Sequence, residues 1–147
     1  MAARSKDGQI GEPVGDSYVR LSGTSMATPH VAGAAAILAQ QHPDWTAGPL
    51  KATLMGSAKP NPALGVFAQG AGRVDVARAI SQTIVADQAS ISFGTQLWPH
   101  NDDEVLTRTV TYHNSGAAAA TVAIIVDATG PNGAAVPAGT FAVQPAP

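Results

Sequence analysis

Gly23-Thr24-Ser25-Met26-Ala27-Thr28-Pro29-His30-Val31-Ala32-Gly33 is the stretch on which the reading of this sequence turns. It puts a serine where a glycine-containing turn passes into an apolar run that continues through residue 39. A serine at the start of a helix has its backbone N–H among the donors that find no acceptor within the helix, pointing where an anion could sit. A nucleophile at this point can attack a carbonyl while its own N–H helps to hold the oxyanion that forms. Gly23 lets the backbone approach a substrate closely. Pro29 falls near the first turn, where a missing donor costs little. The bland alternative is that Ser25 only caps the helix, a role serine favours for its own hydrogen bonding.

Outward from this stretch the chain divides into three zones. Residues 1–24 are polar and Gly-rich, with a short strand or extended loop expected at 17–22. Residues 25–86 read as helical with loops between. The segment 31–41 is apolar nearly all round, which belongs inside a protein rather than on its surface. Thr46 is an expected N-cap for a second helix whose inner stripe is the pair Leu50/Leu54, and a short third helix is expected around residues 75–80. Gly70 and Gly72 lack the third glycine of a dinucleotide loop. Beyond Asp87 the period changes to 2. Leu106, Val110 and Tyr112 share one strand face, and Val122, Ile124 and Val126 line another. Turns are expected at 114–116 and 130–133, with further strands at 90–93 and 140–143. The change of period places a domain boundary at Ala86-Asp87, giving 1–86 and 87–147. About four strands are too few for an immunoglobulin-like sandwich, which takes about seven.

Composition removes several function classes. The chain has 147 residues, 45% of them hydrophobic and 12% charged, so it can bury a core. Eight basic against ten acidic residues give a net charge of -2, no excess with which to hold nucleic acid or an anionic membrane. No apolar run approaches the roughly 18 residues of a membrane span. Cysteine is absent, so thiolate metal sites and disulfides are excluded. The first seven residues have no apolar core of a secretory signal. The acidic run Asp102-Asp103-Glu104 lacks the alternating oxygen ligands and glycine of a calcium loop and reads as a solvated turn. Trp45 and Trp98 read as packing residues.

The eleven-residue stretch resembles the nucleophile motif of the subtilisin-like serine peptidases, the subtilases or peptidase family S8. Residues 41–46 (Gln41-His42-Pro43-Asp44-Trp45-Thr46) and 70–75 (Gly70-Ala71-Gly72-Arg73-Val74-Asp75) are similar to the closing segments of the subtilase catalytic domain. Residues 87–147, above all 109–116, resemble the start of the fibronectin-like β domain that follows it in large secreted subtilases. The resemblance implies the C-terminal part of a three-layer α/β fold followed by a partial all-β sandwich. It implies Ser25 as the nucleophile, with Gly23 and Thr24 beside the substrate, a polypeptide substrate, an extracellular location and no cofactor. Calcium is an ion that the full-length parent could hold.

One departure from the family stands out. Subtilases order their triad Asp, His, Ser along the chain, yet residues 1–24 hold no histidine and no asparagine, and Asp7 and Asp16 lie in polar loop sequence. The base, its orienting acid and the side-chain oxyanion donor are therefore expected from an upstream part of the peptidase domain, without which the chain is expected to be inactive. His30 cannot replace the base, since five residues on it points to another helix face, and in the family the matching histidine is structural. It reads as a packed core histidine. Two rivals remain. One is a non-catalytic binding module made of a helical cap and a β domain. The other is an α/β-hydrolase using Ser25, Asp44 or Asp75, and His100 or His113, in that chain order. The hydrolase lacks parallel strands between nucleophile and acid.

Overall fold

Glycines at 11 and 15 turn the polar N-terminal zone back on itself, both at positive φ (83° and 62°), where a side chain is disfavoured. The computed structural model describes residues 1–130 and 133–144. The result of these turns is a small antiparallel sheet of β1 (Ala2–Ala3), β2 (Glu12–Val14) and β3 (Tyr18–Arg20), ordered β1-β3-β2. Val19, in the middle strand, is its buried residue. The strand expected within 17–22 is β3.

Four helices follow among the described residues: α1 (Thr24–Gln41), α2 (Ala47–Ser57), α3 (Val66–Gln69) and α4 (Val76–Ser81). Thr46 stands at the N-cap of α2, although its side chain makes no capping bond there. Asp75 caps α4 by accepting from the Arg78 backbone N–H at 3.1 Å. The short helix α3 was not expected from the pattern. It exists because its loop is clamped: Gln69 Oε1 accepts from Asn61 N–H at 2.6 Å, while Gln69 Nε2 donates to the carbonyls of Asn61 and Leu64. The loop's ends are joined by a reciprocal backbone pair, Lys59 N–H to Arg73 O at 2.8 Å and Arg73 N–H to Lys59 O at 2.9 Å.

The core lies where α1, α2 and α4 meet, around Ala34, Leu38, Leu54 and Ala79, with Leu50, Val74 and Val76 packed at its margin. Here two expectations need correction. Helix α1 is buried along one stripe only: Leu38 is 0% exposed, but Val31 and Ile37 are 41% and 43% exposed, because no element among the described residues covers their sides. His30 is likewise exposed rather than packed, for the same reason.

Two compact units are present, residues 1–116 and 117–147. In the first, β4 (Ile84–Ala86) pairs antiparallel with β5 (Tyr112–Asn114), in the register Ile84 to Asn114 and Ala86 to Tyr112. The pair is extended by Asp87 N–H to Thr111 O and Ser115 N–H to Thr83 O, both at 2.9 Å. The turn at 114–116 forms as expected, with Asn114 Oδ1 accepting from Gly116 N–H. The strands expected at 90–93, 106–112, 122–126 and 140–143 do not form, apart from Tyr112 at the head of β5. Alternation makes a segment fit for a strand, but the ladder needs a partner to take its N–H and C=O groups. Among the described residues the one strand that offers a ladder here is β4, three residues long, and β5 takes it. Trp98 is exposed, not packed, and meets His100 edge-on.

In the second unit a Thr129–Ala135 bridge stands among otherwise irregular backbone. Pro131 and Asn132, at the centre of the turn expected at 130–133, lie outside the described residues, as do Pro145-Ala146-Pro147.

The two faces of α1 predict different costs. Leu38→Ala removes a fully buried side chain from the centre of the core and is expected to destabilise by about 2–5 kcal/mol. Ile37→Ala, on the uncovered side, is expected to cost less than about 1 kcal/mol. Urea unfolding of the two variants beside the parent chain checks both.

Candidate active site

Gly23 begins the site by ending one structure and starting another. Its φ of 152° and ψ of 166° turn the chain out of β3's path into α1, at a φ that glycine alone adopts without strain. The Gly23 carbonyl accepts from the N–H groups of Met26 and Ala27 at 3.0 and 3.1 Å. Gly23 is therefore the N-cap, and Ser25 is the second residue inside the helix rather than the cap. At that position a backbone N–H has no intrahelical acceptor. Among the described residues the Ser25 N–H donates to nothing, and Ser25 Oγ has no hydrogen-bond partner. Gly23, Thr24 and Ser25 are all exposed. A hydroxyl and a free donor thus share one accessible residue, at the positive end of an 18-residue helix.

Two side chains tie down the turns behind Ser25. Thr28 Oγ1 donates to the Thr24 carbonyl at 2.8 Å, and His30 Nδ1 donates to the Met26 carbonyl at 2.7 Å. Pro29 lies inside the helix, past its first turn and not within it. It supplies no N–H, so the Ser25 carbonyl loses its i+4 donor.

The structure brings no base to this serine. No imidazole or carboxylate hydrogen-bonds to Ser25 Oγ among the described residues. His30 is committed to Met26. His42 stacks on Trp45, with ring centroids 3.8 Å apart and planes within 8°. His100 Nδ1 is 2.8 Å from Asp103 Oδ2, which also accounts for one carboxylate of the acidic run. His113 sits in β5 and is exposed. Asp7 and Asp16 occupy exposed turns. The hydrolase arrangement finds no support: Asp75 is occupied as a helix cap, and no parallel strand lies between residues 42 and 86. No group of three or more His, Asp or Glu side chains able to hold a metal ion is found among the described residues.

Residues 3–73 match the sequence model of the subtilase family, peptidase S8. The subtilase match takes in Ser25, α1, α2 and the Lys59–Arg73 bridge, and it ends before α4. A subtilisin-like protease of Arabidopsis thaliana (SBT4.14) is 42% identical over 94 residues, which are 61% of this chain and 13% of the relative. The minor extracellular protease Vpr of Bacillus subtilis is 34% identical over 105 residues, 68% of this chain and 13% of the relative. A subtilisin-like protease of Solanum lycopersicum (SBT3) is 33% identical over 106 residues, 63% of this chain and 14% of the relative. The chain therefore spans only a small part of the length of the curated relatives it matches. No solved structure gives a match.

Pro29 offers a test of the site's local geometry. Pro29→Ala supplies the N–H that the Ser25 carbonyl lacks and removes the ring from the helix interior, worth about 3 kcal/mol in propensity. The unfolded chain gains about 0.4–1 kcal/mol of freedom in return. The variant is expected to be more stable than the parent by about 2 kcal/mol, with a newly protected amide at residue 29 in hydrogen exchange. An unchanged or lower urea midpoint would show that the helix does not run through Pro29.

Proposed function

We propose that this chain is part of a secreted serine endopeptidase of the subtilase type, with Ser25 as its nucleophile. Residues 1–86 are read as the C-terminal part of the peptidase domain and 87–147 as the start of a fibronectin-like β domain. The observation that carries the reading is the accessible Ser25, with its N–H unengaged at the N-terminus of α1, inside the subtilase-matched segment. Ser25 Oγ bonds to the scissile carbonyl carbon as its proton passes to a base. The carbonyl oxygen becomes an oxyanion facing the Ser25 N–H. Collapse expels the amine, protonated by that same base, and water then hydrolyses the acyl-enzyme. Gly23 and Thr24 lie against the bound peptide.

The His and Asp that activate and orient, and the asparagine donor, are assigned to an upstream part of the peptidase domain. That assignment rests on the motif and on the 13% share of each of the first two relatives that the chain matches. The substrate is a polypeptide, and neither nucleic acid nor a membrane surface is a partner, in keeping with the net charge of -2. No helix among the described residues is long and apolar enough to cross a membrane. An extracellular location accords with the name of the Bacillus relative. For the β domain, the support is the period-2 pattern, which survives as alternating exposure around Ile125 (85% exposed, against 48% for Ile124 and Val126).

A second reading is favoured by one observation, that no base among the described residues reaches Ser25 Oγ: a non-catalytic binding module. Reactivity separates the two. The chain alone is expected to cleave casein negligibly, because loss of the base costs on the order of 10⁶ in turnover, a figure known for subtilisin rather than derived from this chain. Mixed with a polypeptide carrying the upstream Asp and His, it is expected to cleave and to take a fluorophosphonate label, and Ser25→Ala is expected to abolish both. A mixture that is folded together yet leaves Ser25 unlabelled would favour the binding module.

A further inference from the structure

Lys59 and Arg73 face each other across an isolated antiparallel bridge, and both line the same cleft of about 570 Å³. In a hydrogen-bonded pair the two side chains leave the ladder on one side, so the bridge sets two cations against each other. Like charges directly opposed destabilise such a pair. Among the described residues no opposite charge offsets them. The other residues lining the cleft are neutral, and neither cation has an ion pair among the described residues. The nearest acid in sequence, Asp75, is turned to the Arg78 N–H.

The walls are built rather than loose. Gln69 spends its whole amide on the loop, with two bonds to Asn61 and one to Leu64. Gly72 has a φ of 115°, and a Cβ there would fall 2.6 Å from the Lys59 carbonyl oxygen, so the two backbone segments meet as closely as glycine permits. Both cations are exposed, and a clamped loop that sets them side by side at a concave surface offers an oxyanion two charged donors at once.

We propose that this cleft binds an oxyanion, carboxylate or phosphate, with one oxygen on the Lys59 ammonium and another on the Arg73 guanidinium. The site is separate from Ser25 in its chemistry, and the proposal does not depend on the peptidase reading.

The test uses the full chain, isotopically labelled and titrated at constant ionic strength with inorganic phosphate, with succinate and with chloride. Saturable amide shifts at Lys59, Asn61 and Arg73 with phosphate or succinate, absent with chloride, are expected. Whichever probe saturates at the lower concentration identifies the source of the oxyanion. K59Q and R73Q keep the backbone bridge and are each expected to weaken binding about tenfold, the loss of one charge-assisted contact. Lys51 is exposed on α2 outside the cleft, so K51Q is expected to leave binding unchanged. Shifts that never saturate, that chloride reproduces, or that persist in K59Q/R73Q overturn the proposal. So does a spectrum in which residues 59 and 73 are not dispersed, because the bridge opposing the cations is then not formed.

Discussion

Leu38 reaches complete burial only because α1 carries alanines beside it and because α2 and α4 bring Leu54 and Ala79 within contact. Small side chains let helices approach, and close approach is what seals the one large residue from water. The remaining arrangement hangs on that contact. α2, held against α1, supplies the surface on which β4 lies, and β4 gives β5 its partner. The Gln82 side chain, just after α4, ties back to α2 by donating to the Thr53 carbonyl at 3.1 Å. The same contact fixes the direction of α1, and with it the place of Ser25.

The core that does this is thin. Of the seven buried hydrophobic side chains among the described residues, Ala34, Ala52, Ala58 and Ala79 are alanines, each burying little more than a methyl group. A buried leucine contributes roughly 1.5–3 kcal/mol, against the ~5–15 kcal/mol by which whole domains are stable. With Val31 and Ile37 left half in water, the described residues contain few such contributions. A structure of this kind responds strongly to any additional element that covers α1.

What was legible in the sequence was what depends on neighbours along the chain. The helices at 24–41, 47–57 and 76–81 follow from apolar spacing and from residues such as Asp75 that cap in place. Ser25 stood out because the motif that holds it is a contiguous string at the start of a helix. What was not legible depends on partners far along the chain. His30 looked like a core residue because its neighbours are apolar, but burial is decided by what packs against it. Val122, Ile124 and Val126 alternate as a strand should, yet no edge is offered to them. The Lys59–Arg73 opposition needed a bridge between the two ends of a loop, and neither residue marks itself in its own surroundings.

The helical wheel of α1 joins the thin core to the candidate site. At about 100° per residue, Ala34 lies roughly 180° and Leu38 roughly 220° around the axis from Ser25, so the packed stripe and the serine are on opposite sides. Pro29, Ala32, Ala36 and Ala39 fall within about 40° of Ser25, the first three exposed and Ala39 half-buried. The face that carries the serine is therefore lined by small side chains and open as far as Ala36. A helix pinned from behind by Leu38 presents Ser25 on a rigid support, while the small residues in front leave room for another element at close range. On the proposed reading, a base must come within about 3 Å of Ser25 Oγ from outside this helix. A face of large side chains would hold such an element away. The alanines that weaken the core and those that open the front of α1 thus belong to one design, a helix narrow enough to be approached from both sides.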